Sequence, residues 1–134
     1  MENQRLARYW MIIAGVALLI VGLLGFVPGN PIASADETAL FRANALHSVI
    51  HLATGLLALW IGYSTRGLTL ANWTIGYGVL YAVIAVLLLL DPTLFGLFSD
   101  APANAADQVL HAALAIVSIA LGYMARGEAP AVVR

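Results

Sequence analysis

Four long apolar segments dominate the sequence and limit the folds that it can adopt. They cover residues 7–27, 45–63, 70–90 and 106–125, and each is close to the ~20 residues that a helix needs to cross the hydrocarbon core of a bilayer. Backbone polar groups must be paired within lipid, so only helices or a closed barrel can span it. No segment shows the period-two alternation of barrel strands. The sequence therefore predicts an all-α membrane protein with four transmembrane helices.

The composition agrees with a chain that lies mostly in lipid. Of its 134 residues, 62% are hydrophobic and 10% are charged, and the mean hydropathy is +0.92. Soluble domains have about half apolar and about a quarter charged residues. The net charge is −1, and no cluster of basic residues offers a surface for nucleic acid. We therefore expect the lipid bilayer to be a partner of the chain and nucleic acid not to be one.

The first apolar segment has some features of a signal peptide. A weakly basic start precedes it, and Ala33 to Ala35 has the small-x-small pattern of a cleavage site. However, the apolar run exceeds the usual ~7–15 residues, and the sequence PGNPI separates it from the cleavage pattern. We therefore predict that this segment is a retained transmembrane helix.

The arginines predict the orientation of the chain in the membrane. Five of the six fall on one side of the predicted bundle, namely Arg5, Arg8, Arg66, Arg126 and Arg134. The other side contains Arg42 and five acidic residues. Because basic residues concentrate on the cytoplasmic side of membrane proteins, we predict a multi-pass protein of the cell membrane with both termini in the cytoplasm.

The second half of the chain repeats the first. The stretch NALHSVIHLATGLLALWIGYSTRG begins at Asn44, and NAADQVLHAALAIVSIALGYMARG begins 60 residues later at Asn104. The two stretches share nine identical positions without a gap, including His51 with His111. Shared apolar composition does not account for so many matches. We therefore predict a tandem repeat.

The repeat predicts the domain organisation. We expect one integral membrane domain over residues 1–134, built from a first helical hairpin over residues 1–67 and a second over residues 68–134. Each hairpin crosses the membrane twice, so both have the same topology. A pseudo-twofold axis along the membrane normal is the expected relation between them, as in other parallel repeats.

Two stripes of polar and small residues run along the second and fourth segments. Small residues mark close contacts between membrane helices, and ionisable residues within a span normally face the interior of the bundle. The histidines are therefore predicted to point inward. Steps of three or four residues define one stripe as His47, His51, Gly55, Ala58 and Gly62, and the other as Asp107, His111, Ala115, Ser118 and Gly122.

The polar ends of the two stripes are predicted to meet in the outer leaflet. Asn44 and Asn104 are good N-cap residues. His51 and His111 each follow them by seven residues, or roughly 10 Å at ~1.5 Å per residue. The equal offsets predict that these two histidines approach each other. The complete predicted cluster consists of His47, His51, Tyr81, Asp107 and His111.

The outer connection between the first two segments contains a helix-start pattern. Ser34 to Glu37, SADE, has the spacing of a capping box. We therefore predict a short interfacial helix that carries Leu40 and Phe41 over the outer face.

Three stretches of the sequence are similar to signatures of a known family. NALHSVIHLATG resembles an Asn-x-Leu-His-x-x-x-His-x-x-x-Gly signature, NAADQVLH resembles an Asn-x-Ala-Asp-x-x-x-His signature, and GVALLIVGLLGFVPG is also typical of that family. Both signatures occur in the bacterial membrane family catalogued as domain of unknown function 4383, which the chain resembles over most of its length. The resemblance implies a four-helix integral membrane protein. It implies no activity, because the function of the family is unassigned.

The polar cluster has three interpretations. In the first, the side chains only bond to one another across the helices, and each bond contributes about 0.6 kcal/mol. In the second, imidazole and carboxylate groups bind a transition metal such as Zn²⁺, with the ligands His47, His51, Asp107 and His111. In the third, His51 and His111 are the axial ligands of a haem or another tetrapyrrole. The sequence therefore does not decide whether the cofactor is a transition metal, a haem or another tetrapyrrole, or a lipid.

The sequence offers little for catalysis. The absence of cysteine excludes disulfides, thiolate ligands and cysteine nucleophiles. There is no nucleophile–base–acid trio, phosphate-binding loop or metalloprotease motif. We therefore expect a structural or accessory subunit of a larger membrane assembly rather than an enzyme, with another membrane protein or a second copy as its partner. A metal-binding or tetrapyrrole-binding membrane protein is the alternative.

Overall fold

The computed structural model of the chain describes residues 1–129 and contains four long helices. Helix α1 spans Glu2–Leu24, α2 spans Ala45–Ser64, α3 spans Gly67–Leu90 and α4 spans Ala105–Gly127. Each helix is long and apolar enough to cross a membrane, which confirms the predicted all-α class with four transmembrane helices. Arg134, which was assigned to the cytoplasmic side, and the end of the second predicted hairpin lie outside the described residues.

Helices α2 and α4 begin at asparagine side chains that bond to their first free N–H groups. Asn44 Oδ1 accepts a hydrogen bond from the backbone N–H of His47 at 2.9 Å, and Asn104 Oδ1 accepts one from the backbone N–H of Asp107 at 2.9 Å. The Asp107 carboxylate in turn accepts from the backbone N–H of Asn104 at 2.8 Å, which completes a capping box. Both predicted N-caps are confirmed.

The most extensive helix contacts lie between α1 and α2 and between α3 and α4. A Cβ added at Gly15 would lie 2.8 Å from the carbonyl oxygen of Gly55 on the paired helix. In the second pair, a Cβ added at Gly78 would lie 2.8 Å from the carbonyl oxygen of Ala115. Gly55 and Ala115 correspond in the sequence repeat, and the carbonyl oxygen of each lies close to a glycine of the paired helix. The hairpin boundaries and the pseudo-twofold axis relating them remain predictions.

The two helix pairs join into a bundle in which α2 and α4 stand apart. Helix α1 contacts both α3 and α4, and α2 contacts α3, whereas α2 and α4 make no close backbone contact within residues 1–129. The indole Nε1 of Trp10 on α1 donates a hydrogen bond to Ser118 Oγ on α4 at 2.8 Å. Side chains rather than backbone therefore fill the space between α2 and α4.

The predicted short helix beginning at Ser34 is wrong. The connection between α1 and α2 instead contains two short parallel strands, β1 (Ala33–Ser34) and β2 (Phe41–Arg42). Ser34 Oγ accepts a hydrogen bond from the Asp36 N–H at 3.2 Å, and Asp36 Oδ1 accepts from the N–H and the hydroxyl of Thr38 at 2.9 and 2.8 Å. Such local bonds between side chain and backbone stabilise turns and compete with a helix.

The contact at Gly55 predicts the effect of a single added methyl group. A Cβ there would lie 3.0 Å from the Gly15 carbonyl oxygen and 3.1 Å from the Leu19 backbone nitrogen. Because backbone atoms of a packed helix cannot move aside as a flexible side chain can, we expect Gly55→Ala to lower the free energy of unfolding by about 1–3 kcal/mol. Thermal melting of the detergent-purified protein measures this loss.

Gly76 in α3 provides the matched control. A Cβ added there meets no heavy atom within 4 Å. Gly76→Ala should therefore leave the stability unchanged or raise it by about 0.5–1 kcal/mol, because alanine favours a helix over glycine. Equal melting temperatures for the two variants would contradict the close helix contact at Gly55.

Candidate functional site

Three histidine side chains converge in the space between α2 and α4. One ring nitrogen from each of His47, His51 and His111 can be chosen so that all three nitrogens lie within 4.8 Å of one another. The ring centroids of His47 and His51 are 4.4 Å apart, and those of His51 and His111 are 5.9 Å apart. The His47 and His111 centroids are separated by 5.8 Å. The structure thus brings the two repeat-related histidines, His51 and His111, close together, as their equal offsets predict.

The periodicity of α2 and α4 explains why the histidines share an interior. His47 and His51 are four residues apart on one face of α2, and His111 lies on the inward face of α4. The two predicted stripes continue beyond these histidines, and the remaining residues of both stripes are also buried. They are Gly55, Ala58, Gly62, Ala115, Ser118 and Gly122. Polar groups are costly in lipid. The inward orientation of the histidines therefore follows from the same pattern that packs the helices.

The histidines are almost completely buried, and their ring nitrogens are short of partners. His47 is 2% exposed, and His51 and His111 are each 1% exposed. Both nitrogens of His51 and the Nδ1 atoms of His47 and His111 have no hydrogen-bond partner in the part of the chain that the structure describes. A buried polar atom without a partner costs about 1–3 kcal/mol. These four nitrogens are therefore available to a water molecule, an ion or another ligand.

Asp107 lies beside the cluster, but its carboxylate is hydrogen-bonded to backbone N–H groups. Its Oδ2 atom accepts hydrogen bonds from the backbone N–H groups of Asn104 at 2.8 Å and Arg42 at 3.1 Å. It is not a member of the group of nearby ligand atoms, which consists of the three histidines. Its Oδ1 atom is buried and has no hydrogen-bond partner among residues 1–129. The ligand set predicted from sequence therefore reduces to three imidazoles with a neighbouring carboxylate.

A small cavity adjoins the histidine rings. Its volume is about 40 Å³, and it is lined by His47, Ile50, His51, Tyr81, Ile84, Leu88, Leu94, Phe98 and His111. A single water needs roughly 10–15 Å³ of cavity volume, whereas pockets for drug-sized ligands occupy about 300–1,000 Å³. The cavity therefore has room for an ion with a water molecule. This volume is smaller than a macrocycle, which favours the metal interpretation, and the tetrapyrrole site on His51 and His111 stays a prediction.

Phe98 covers the cluster and was not anticipated from the sequence. Its ring stacks on that of His47 with a centroid distance of 4.5 Å and an angle of 9°, and it is 2% exposed. The turn after α3 carries it there: Leu94 and Phe95 have positive φ values of 47° and 56°, and the Phe98 N–H donates to the Thr93 carbonyl at 2.7 Å. The DPT sequence at residues 91–93 signals a turn, but no local signal predicts its return over the histidines.

Tyr81 on α3 borders the site, as predicted, but its hydroxyl forms a hydrogen bond to α2 and not to the histidines. The ring centroid of Tyr81 is 5.6 Å from that of His111. The Tyr81 hydroxyl is hydrogen-bonded to Thr54 Oγ1 at 2.6 Å, and the Tyr77 hydroxyl donates to the Thr54 carbonyl at 3.1 Å. Thr54 was not singled out in the sequence. This network joins α2 to α3 next to the histidines and holds the Tyr81 ring against the cavity.

The geometry of the three imidazoles suits a metal ion. Nitrogen ligands of a tetrahedral Zn²⁺ lie about 3.3 Å apart when the metal–nitrogen bonds are ~2.0 Å. The histidine nitrogens lie within 4.8 Å of one another, so they would have to approach by up to about 1.5 Å to bind one ion. Neutral imidazole is a ligand for Zn, Cu, Fe and Ni. Three such ligands leave a fourth position for water.

Comparison with known proteins gives one match. The sequence profile of a family described as "Domain of unknown function (DUF4383)" matches residues 8–124, which contain all three histidines and Asp107. No curated protein and no solved structure matches the chain. The match covers well over half of the chain and confirms the resemblance carried by the paired signatures. This four-helix chain therefore belongs to the family named domain of unknown function 4383.

Proposed function

We propose that this protein is a non-enzymatic membrane protein that binds one transition metal ion through His47, His51 and His111. The observation that carries the proposal is the group of three buried histidines with unpartnered nitrogens beside a small cavity. An ion would bond one nitrogen of each histidine and so give a partner to at most three of the four unpartnered nitrogens. In the purely structural interpretation, these nitrogens would instead bond to water in the adjoining cavity, because they make no hydrogen bonds within residues 1–129.

Zn²⁺ is the ion that we expect to fit best. Three histidines and one water form a familiar tetrahedral zinc set, and the chain contains no cysteine that would favour a softer ion. Neutral ligands leave the double charge of the ion uncompensated in an apolar interior. The buried carboxylate of Asp107, one helical turn before His111, supplies a nearby negative charge.

Binding rather than catalysis agrees with the size of the site. A cavity of about 40 Å³ accommodates the ion and its water but no organic substrate. Apart from the histidines and Tyr81, its lining consists of aliphatic side chains and Phe98. Three histidines and a water also form catalytic zinc sites, but here the histidines would be occupied as ligands, the Tyr81 hydroxyl is hydrogen-bonded to Thr54, and the cavity leaves no space for a substrate beside the ion. We therefore propose that the protein is not an enzyme.

The first test is metal content and imidazole coordination. The protein should be purified through a tag without histidine, and elemental analysis should find about one Zn²⁺ per chain. His51→Ala and His111→Ala should each reduce the bound metal to background, because loss of one of three ligands opens the site. The three cluster histidines are the only histidines of the chain. After loading with Cu²⁺, nitrogen couplings from imidazole in the electron paramagnetic resonance spectrum therefore report on this cluster.

Ser118→Ala is the control for the metal experiment. Ser118 lies in the same buried stripe as His111, but it bonds to Trp10 and does not line the cavity. This variant should keep its metal. Zn²⁺ at one hundred times its Kd should raise the free energy of unfolding of the parent protein by about 2.7 kcal/mol and should leave His51→Ala unchanged. A parent protein that binds no transition metal after loading and gains no stability would refute the site.

An accessory role in a larger membrane assembly is a second proposal. It is supported by the small amount of chain outside the helices: within residues 1–129, the connections are residues 25–44, 65–66 and 91–104. Such short connections offer little surface to soluble partners, so we propose that a partner lies in the membrane, either another protein or a second copy.

Crosslinking in intact membranes tests the accessory role. A reagent that joins nearby side chains should yield a product heavier than the 14.1 kDa chain, because a subunit of an assembly has a neighbour within reach. The product should be lost when the membranes are dissolved in detergent before crosslinking and the chain is diluted. Recovery of the monomer alone from intact membranes would contradict the proposal.

We propose that both termini face the cytoplasm, in the cell membrane, on the basis of the arginine distribution. The chain has no cysteine, so single cysteines can be introduced at exposed positions. Glu37→Cys and Ser99→Cys, in the two longer connections, should react with an impermeant thiol reagent on intact cells, and Ser64→Cys should react only after lysis. All three side chains are exposed. The opposite pattern would reverse the orientation and place the histidine cluster near the cytoplasmic side.

A further inference from the structure

A basic pocket lies at the other end of the bundle from the histidine cluster. It is formed by the start of α1, the turn between α2 and α3, and the residue that follows α4, and its volume is about 290 Å³. Three arginines line it, namely Arg5, Arg8 and Arg66. Arg126 is at the same end but does not line the pocket. The pocket thus collects three of the guanidinium groups into one concave surface.

The one carboxylate in the lining already has partners. Glu128 Oε2 lies 2.7 Å from the amino group of Met1 and accepts a hydrogen bond from the backbone N–H of Gln4 at 3.2 Å. The bond to the Met1 amino group lowers the pKa of Glu128 from its usual value, so the carboxylate is charged and paired. It therefore does not neutralise the arginines, and the pocket keeps an excess of positive charge.

Two of the arginines are arranged as parts of a site. The Nη1 atom of Arg66 donates to the carbonyl oxygens of Tyr63 at 3.0 Å and Thr65 at 2.8 Å, which orients its guanidinium group. The Nε atom of Arg8 is buried and has no hydrogen-bond partner among residues 1–129. Guanidinium groups bind phosphate oxygens with paired, charge-assisted hydrogen bonds. An oriented guanidinium and an unpartnered donor in one pocket point to an anionic ligand.

The pocket has a fixed base that joins three helices. Gln4 Nε2 donates to the carbonyl oxygen of Ala125 at 2.7 Å and to that of Gly67 at 3.3 Å. Gln4 is on α1, Ala125 is on α4 and Gly67 begins α3. These bonds hold the three helix ends at a set separation. The pocket therefore exists before a ligand arrives, which lowers the entropic cost of binding.

We propose that this pocket binds the phosphate group of an anionic phospholipid. The location at the end of a transmembrane bundle places the arginines at the depth of lipid headgroups, where basic pockets between helices recognise anionic lipids. Several residues that are close in sequence to the lining arginines have exposed apolar side chains. Leu6 is 43% exposed, Tyr9 is 57% exposed and Tyr63 is 64% exposed. They provide a surface for acyl chains, which a free anion would not use.

Titration of the detergent-purified full chain with short-chain lipids tests this proposal. Native mass spectrometry should show tighter binding of dihexanoyl phosphatidylglycerol than of dihexanoyl phosphatidylcholine. Arg8→Gln and Arg66→Gln should each weaken phosphatidylglycerol binding by about fivefold. Arg66 is exposed in a turn, so its variant should fold even if Arg8→Gln does not. Both variants should keep their metal, because neither residue lies near the histidines.

The matched control is Arg126→Gln, which removes the same charge at the same end of the bundle from outside the pocket. It should bind phosphatidylglycerol as the parent protein does. An equal loss of phosphatidylglycerol affinity in this variant would mean that the lipid responds to the overall surface charge and not to the pocket. That result would overturn the proposal. Equal affinity for the two lipids would also overturn it. Displacement of the lipid by inorganic phosphate at an equal concentration would assign the pocket to a free anion and not to a phospholipid.

Discussion

The rest of the structure depends on the close backbone contact within each pair of helices. Apolar side chains gain little by leaving lipid for another apolar surface, so membrane helices associate through packing, and small residues allow that packing. Gly15 meets the Gly55 carbonyl in one pair, and Gly78 meets the Ala115 carbonyl in the other. These contacts place each helix pair in register and leave α2 and α4 apart. The histidines fill the gap that results, so the packing of small residues creates the polar site.

This arrangement has an energetic cost that a metal ion would offset. Four histidine nitrogens are buried without partners in the part of the chain that the structure describes, and each such atom costs about 1–3 kcal/mol. Helix packing must balance this cost in the absence of a ligand. Because a metal ion would be bound by the folded bundle and by few conformations of the unfolded chain, its binding would add directly to the stability of the fold. Under the proposed function, metal content and stability would therefore be linked.

Much of the fold follows from residue patterns, and the site follows only in part. Segment length predicted the four helices, and equal spacing from Asn44 and Asn104 predicted that repeat-related histidines meet. Phe98 could not be predicted, because its position over His47 depends on left-handed backbone at Leu94 and Phe95 in a long connection. The tetrapyrrole hypothesis relied on small residues near the histidines, but those residues contact neighbouring helices and leave no large cavity. Patterns along one helix do not reveal what a side chain meets across the bundle.

The difference between the two repeats decides which groups can be ligands. His47 and Asp107 occupy equivalent positions, three residues after the N-cap asparagines of α2 and α4. A carboxylate at this position can accept hydrogen bonds from free backbone N–H groups, and Asp107 accepts two of them, from Asn104 and Arg42. The His47 ring instead packs between Phe98 and the other two histidines. One repeat therefore contributes two imidazoles and the other contributes one imidazole and a carboxylate held at the helix start. The proposed ligand set is thus asymmetric although the sequence around it is repeated.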